Sequence, residues 1–270
     1  MKKLVQLIIA LLLVGSLGAC SKSEDQDDKR ITIGASPTPH SLILEAAKAE
    51  VEAQGYELVI VEFTDYVLPN TALDVGDLDA NYFQHVPYLT TFNLERNTKL
   101  ASVLAIHFEP LGLYPGKSSS ISDIENGGVT IAIPNDPTNE ARALRLLEDN
   151  GYISFDDDGT ANVTPIDIKD NPYDIEFIEM EAALLAQTLV DVDFAIINGN
   201  YALGANIQST VIITEDKDSH AANTFANILV VQIGKETSEK TQVLINALSS
   251  VTVKNYIQET FYPTVISVLP

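Results

Sequence analysis

Strand-like and helix-like segments alternate along this chain, and the alternation stops and begins again near its middle. The first run predicts a strand at Ile31–Ala35 and, after Pro37 and Pro39, a helix over Ser41–Gln54. Tyr56–Phe63 alternates apolar and polar residues as a strand does, and Pro69–Val75 reads as a short helix. A strand at Leu78–Asn81, a helix from His85 to about Arg96, and strands at Leu100–His107 and Leu111–Tyr114 follow. The second run predicts a strand at Val129–Ile133, a helix over Pro137–Asn150, a strand at Ile175–Ile178, a helix over Glu181–Leu189 and a strand at Val192–Ile197. Val211–Ile213 and Asn227–Ile233 are further strands, and helices near Ser238–Leu248 and Val251–Phe261 close the chain. Alternating βα units call for a largely parallel sheet covered by helices. Two such runs in 270 residues predict two α/β lobes, with a ligand site where strand C-termini and helix N-termini face a crevice.

The first thirty residues stand apart from this pattern. Lys2 and Lys3 precede an apolar run from Leu4 to Leu17, the length of a secretory leader core and short of the roughly 20 residues a spanning helix needs. The run ends in Leu17-Gly18-Ala19-Cys20, which resembles the lipobox of bacterial lipoproteins, so residues 1–19 are expected to be removed and Cys20 to become a diacylated N-terminus. Cys20 is the only cysteine, so the mature domain has neither a disulfide nor a catalytic thiol. Residues 20–30, polar and charged after the cysteine, read as a flexible tether.

An apolar fraction of 46% with 20% charged residues is that of a globular domain. The formal net charge of −22, with no basic stripe, excludes nucleic acid and anionic membrane surfaces as partners, because both require clustered Lys and Arg. Patterns for catalysis are missing: no Gly-x-Ser-x-Gly, no His-Glu-x-x-His and no Walker loop. His40, His85, His107 and His220 are scattered without metal-ligand spacing, and Asp156-Asp157-Asp158-Gly159 reads as an acidic turn rather than a calcium loop. No catalytic residue, metal or cofactor is expected.

Three segments carry chemistry instead. Asp79–Leu89 places Tyr82, Phe83, His85 and Tyr88 at a strand–helix junction, with Tyr66 ahead of another helix. These rings either wall an apolar slot, to which a thioether sulfur is drawn by roughly 0.3–1.5 kcal/mol, or form a core cluster under a loop. In Pro134–Leu144, Asp136 is an N-cap and Pro137 the first helical residue, so Asn139 and Arg142 lie one turn apart on nearly one face. A helix N-terminus beside a guanidinium suits a carboxylate, and Asn139 offers an oxygen to an ammonium; the alternative is a capped surface helix with a solvated Arg142. The apolar strand Phe194–Ile197 runs into Asn198 and Asn200, which either meet a polar ligand group or cap the next helix. Asn227 opens another apolar strand, as ligand partner or turn residue.

At these segments the chain resembles the methionine-binding lipoproteins of ABC importers, the MetQ/NlpA-type family. The resemblance runs through Pro39-His40-x-x-Ile43-Leu44-Glu45, Asp65–Asn70, Asp79–Leu89, Glu109–Tyr114, Pro134–Leu144, Ile197-Asn198-x-Asn200-Tyr201-Ala202 and Glu215–Ser219, covering almost all of the mature chain. Ala141 stands where the family has glycine, and His220–Phe225 is longer than usual, with Thr224 in place of a proline. The resemblance implies a two-lobed periplasmic-binding-protein fold of type II-like form, with residues 31–109 plus 227–270 in one lobe and 110–226 in the other. It places an aromatic pocket at Tyr66, Phe83, His85 and Tyr88, a carboxylate-binding arginine at Arg142 with Asn139 beside it, and ligand-holding asparagines at Asn198 and Asn227. The implied protein is no enzyme. It is a monomeric receptor, lipid-anchored on the extracytoplasmic face of the membrane, that closes on L- or D-methionine and delivers it to a permease and its ATPase. Another apolar amino acid, a short methionine peptide, or an adhesive surface role are the alternatives.

Overall fold

The computed structural model describes residues 29–157, 159, 162–216 and 220–270. Cys20, the leader and all of the tether except Lys29 and Arg30 lie outside them. The chain builds β1 (Arg30–Ala35), α1 (Leu42–Glu52), β2 (Glu57–Glu62), α2 (Leu68–Val75), β3 (Ala80–His85), α3 (Val86–Arg96) and β4 (Leu100–Phe108). Residues 109–111 then cross to a second sheet, made by β5 (Gly112–Pro115), β6 (Thr130–Pro134), β7 (Glu176–Met180), β8 (Phe194–Ile197) and β9 (Ile213–Thr214). That sheet is served by α4 (Pro137–Asp149) and α5 (Gly199–Gly204). The chain then makes a second crossover, back to β10 (Asn227–Gln232), and α6 (Glu239–Leu248), α7 (Val251–Phe261) and β11 (Ile266–Ser267) follow.

The two sheets have strand orders β11-β4-β10-β3-β1-β2 and β7-β6-β8-β5-β9, which makes an α/β molecule of two lobes. Neither sheet is largely parallel, as the sequence pattern predicted. Parallel pairing holds for β1 with β2 and β3, and for β6 with β7 and β8. β10 runs antiparallel between β3 and β4, and β5 runs antiparallel to β8 and β9. The physical reason is the pair of crossovers. A strand entering from the other lobe needs no helical return over the sheet, so nothing forces it parallel.

Both faces of each sheet are covered, which is why the central strands read as continuous apolar runs. In β10, Leu229 and Val231 pack with α1, α6 and α7 on one face, while Ile228 and Val230 pack with Leu73 of α2 and Leu89 of α3 on the other. The second lobe repeats the arrangement, with Phe194 and Ile196 of β8 facing Leu144 and Leu147 of α4, and Ala195 and Ile197 facing the opposite cluster. The predicted strand at Leu78–Asn81 in fact runs from Ala80 to His85, so the aromatic segment is buried strand rather than junction loop. Pro87 lies in the first turn of α3, whose N-cap is His85. Among the described residues no helix is long and apolar enough to cross a membrane.

Leu229 is fully buried and Leu94 is 79% exposed. Leu229→Ala is therefore expected to cost about 2–5 kcal/mol in urea unfolding, and Leu94→Ala less than about 0.5 kcal/mol.

Candidate functional site

The lobes meet over a small cavity of about 20 Å³ whose walls include all eight residues singled out from the sequence: Tyr66, Phe83, His85, Tyr88, Asn139, Arg142, Asn198 and Asn227. The first lobe supplies the four aromatic side chains, the second supplies Asn139, Arg142 and Asn198, and Asn227 sits where the second crossover becomes β10.

One end is apolar. The rings of Tyr66, Phe83 and Tyr88 stand 5.8–6.0 Å apart, Tyr66 tilted against Phe83 and Tyr88 edge-on to both. Their hydroxyls are turned to partners: Tyr88 donates to the Tyr66 carbonyl at 2.8 Å, and Tyr66 to Asn200 Oδ1 at 2.6 Å. Burial raises both phenols above their ordinary pKa, so they stay neutral, and both rings line the cavity.

The other end is polar, and its orientation can be followed atom by atom. His85 Nδ1 accepts from the Tyr88 backbone N–H at 3.2 Å, so Nε2 carries the proton and donates to Asn139 Oδ1 at 3.2 Å. Burial, and then the neighbouring Arg142 charge, lower the His85 pKa to about 3, so this ring is neutral. Asn139 Nδ2 donates to both oxygens of Asp136 at 3.0 Å, which fixes Oδ1 as the acceptor. Asn198 must then donate its Nδ2 to that oxygen, at 2.9 Å, and its own Oδ1 is left buried with no partner. Asn139 is therefore a bridge between lobes with its oxygen already occupied, whereas Asn198 presents a free acceptor.

Arg142 is 6% exposed. Its Nε donates to Glu215 Oε1 at 2.7 Å, its Nη2 donates to Glu215 Oε2 at 2.5 Å and to the Glu109 carbonyl at 2.9 Å, and its plane lies over Phe225. The residue is not the solvated surface arginine of the alternative reading.

Residues that sequence reasoning did not single out complete the polar end. Glu109 lines the cavity and is 5% exposed. Its Oε1 accepts from His107 Nε2 at 2.7 Å and lies 3.5 Å from His40 Nε2. His107 is held in turn by the Tyr82 hydroxyl at its Nδ1, and His40 Nε2 donates to Asn227 Oδ1 at 2.9 Å. Burial lowers His40 to about 4 and His107 to about 3, so both rings are neutral. Burial also raises the Glu109 carboxyl, while His40, Arg142 and the Asn200 backbone N–H oppose that rise. Gly199 is glycine because a Cβ there would stand 2.8 Å from Glu109 Cβ. The histidines that looked scattered are thus gathered: donor atoms of His40, His107 and Glu109 lie within 4.8 Å of one another. His40 and His107 each already direct Nε2 at an oxygen, while His40 Nδ1 is buried with no hydrogen-bond partner. The available signal was positional, since Glu109 directly follows an apolar strand, at the crevice edge.

The fold and cleft are those of a two-lobed substrate-binding protein, and the comparisons narrow the class. Residues 31–269 match the NlpA lipoprotein family, to which this chain belongs. It is 40% identical to the membrane lipoprotein TpN32 of Treponema pallidum, over 94% of this chain and 93% of that protein. It is 34% identical to the methionine-binding lipoprotein MetQ of Bacillus subtilis, over 99% of each. Among solved structures, a nutrient-binding protein from Burkholderia cenocepacia bound to methionine superposes with a TM-score of 0.82 at 36% identity, covering 88% of this chain and 99% of that one.

Three neutral buried histidines make stability depend on pH. His40, His85 and His107 have folded pKa values of about 4, 3 and 3, below the ordinary 6.5. Each contribution is complete above the unfolded pKa and is lost as pH falls from about 6.5 toward those values, at up to about 1.4 kcal/mol per pH unit per ring. The urea midpoint is expected to be clearly lower at pH 5 than at pH 7.

Proposed function

We propose that this protein is the methionine receptor of an ABC importer, holding the amino acid between its lobes. The observation that carries this reading is the pairing, in one cavity, of a three-ring apolar slot with a polar end that matches a zwitterion. Asn198 Oδ1, unpartnered and buried, and the Glu109 carboxylate are the acceptors for an α-ammonium group. Arg142 Nη1, the guanidinium nitrogen not engaged by Glu215, and Asn227 Nδ2, freed because Oδ1 faces His40, are the donors for an α-carboxylate. The Tyr66, Phe83 and Tyr88 faces suit a thioether, which gains from contact with π faces and from leaving water. The methionine-bound relative of the same fold supports this choice over other apolar side chains.

Function then follows from closure. His85 to Asn139 and Tyr66 to Asn200 already join the lobes across the cleft, and Tyr201 donates to the Thr64 carbonyl at 3.1 Å. A ligand touching both lobes adds to these bonds and shifts the open–closed balance toward the form that docks on the permease and its ATPase. The protein works as a monomer on the extracytoplasmic face. A lipid on Cys20 keeps it near the transporter and raises its effective concentration there. The reading is binding and delivery.

The test is calorimetric titration of residues 21–270, unfolded and refolded to strip carried ligand. L-Methionine is expected to bind, with D-methionine titrated beside it to read the stereochemical preference, and leucine and glutamine are expected to bind more weakly. Phe83→Ala should weaken L-methionine by roughly 1–3 kcal/mol, about five- to 150-fold, through lost apolar and sulfur–π contact. Silence toward every amino acid from a folded protein would remove the ligand assignment.

A further inference from the structure

Resting on that reading, we propose that Glu215 is a specificity-determining residue: by neutralising Arg142 it mutes recognition of the ligand's carboxylate and admits α-ammonium compounds whose carboxyl is amidated. Glu215 closes β9 into the second crossover. It spends both oxygens on Arg142, through Nε at 2.7 Å and Nη2 at 2.5 Å. The pair is buried, with side chains 5% and 9% exposed. A bidentate carboxylate–guanidinium pair in such a site leaves little net charge to offer a third group.

The balance of charge in the cavity then lies with Glu109. Its close neighbours His40 and His107 are neutral rings that donate or point N–H groups toward it, and among the described residues no Lys or Arg forms an ion pair with its carboxylate. The ammonium of a ligand therefore meets a carboxylate whose nearby cation, Arg142, is already paired with Glu215. The carboxylate of a ligand meets only hydrogen bonds, from Arg142 Nη1 and Asn227 Nδ2, and a carboxamide oxygen accepts such bonds as well.

Arg142 lines the pocket and also, with Glu215, Pro87, Thr138, Arg145 and Phe225, a second cavity of about 830 Å³, whereas Glu215 lines that outer space and not the pocket. The carboxylate that neutralises Arg142 is thus applied from the side away from the ligand.

Glu215 also accepts from the Leu111 N–H at 2.7 Å, so the same carboxylate ties Arg142 to the first crossover. Removing its charge while keeping its shape is therefore the informative change. Ligand-free refolded protein and Glu215→Gln are titrated with L-methionine, with L-methioninamide at a pH where its amine is protonated, and with 4-(methylsulfanyl)butanoate, which lacks the ammonium. In the parent, the amide is expected within about tenfold of L-methionine and the butanoate at least about a hundredfold weaker, as for loss of a group facing a buried charge. Glu215→Gln should raise the preference for L-methionine over its amide by about tenfold or more. A parent that binds L-methionine but rejects the amide by over a thousandfold, or a folded variant with an unchanged preference, overturns the inference while leaving the methionine reading intact. If melting shows the variant unfolded, the parent's amide and butanoate affinities decide alone. Absence of L-methionine binding by the parent overturns both.

Discussion

A carboxylate at the centre of the molecule, with almost no water to solvate it, is the constraint around which the rest is arranged. Glu109 lies in the first crossover, directly after β4, and is 5% exposed. An ion in such a place costs several kcal/mol unless donors surround it. His107 supplies one at 2.7 Å, and the Asn200 backbone N–H another. Tyr82 keeps His107 in the tautomer that can donate. Gly199 leaves the gap in which the side chain lies. Four positions from three parts of the sequence (Tyr82, His107, and Gly199 with Asn200) are thus explained by one anion.

The same residue joins the two crossovers. On the side of the first lobe, His40 stands between Glu109 and Asn227, one from each crossover. On the side of the second, Arg142 holds the Glu109 carbonyl and Glu215, which in turn holds Leu111 N–H. The hinge is therefore continuous with the polar end of the cavity, and a ligand that engages Arg142, Asn227 or Glu109 acts on the chain segments about which the lobes move. In this account, recognition and closure share one set of atoms.

Much of this was legible in the sequence, and what was not has a physical cause. The helix opening at Asp136-Pro137 could be read because N-cap chemistry is local, and Asn139 and Arg142 followed from the period of that helix. The aromatics of β3 were found by crowding alone. Their strand was predicted too short, because the residues from Ala80 to His85 are all buried and show no alternation. The parallel-sheet expectation failed at β5 and β10, whose directions are set by crossovers between lobes rather than by their own residues. Glu109, His40 and His107 escaped because partners far apart in sequence, such as His40 and Asn227, leave no spacing to read. Asn139 was identified as a ligand partner, but its oxygen proves to be divided between His85 and Asn198, which only the three-dimensional network reveals.

The central claim is that Glu109 is an anion awaiting a ligand's ammonium. The most direct measurement is the L-methionine affinity of Glu109→Gln, a substitution that keeps shape and removes charge, made on protein shown by melting to be folded. The account predicts a loss of roughly a hundredfold or more, as for a buried charge pair deprived of one partner. An affinity within a few fold of the parent would contradict it, and would mean that Glu109 is part of the hinge without being part of the recognition.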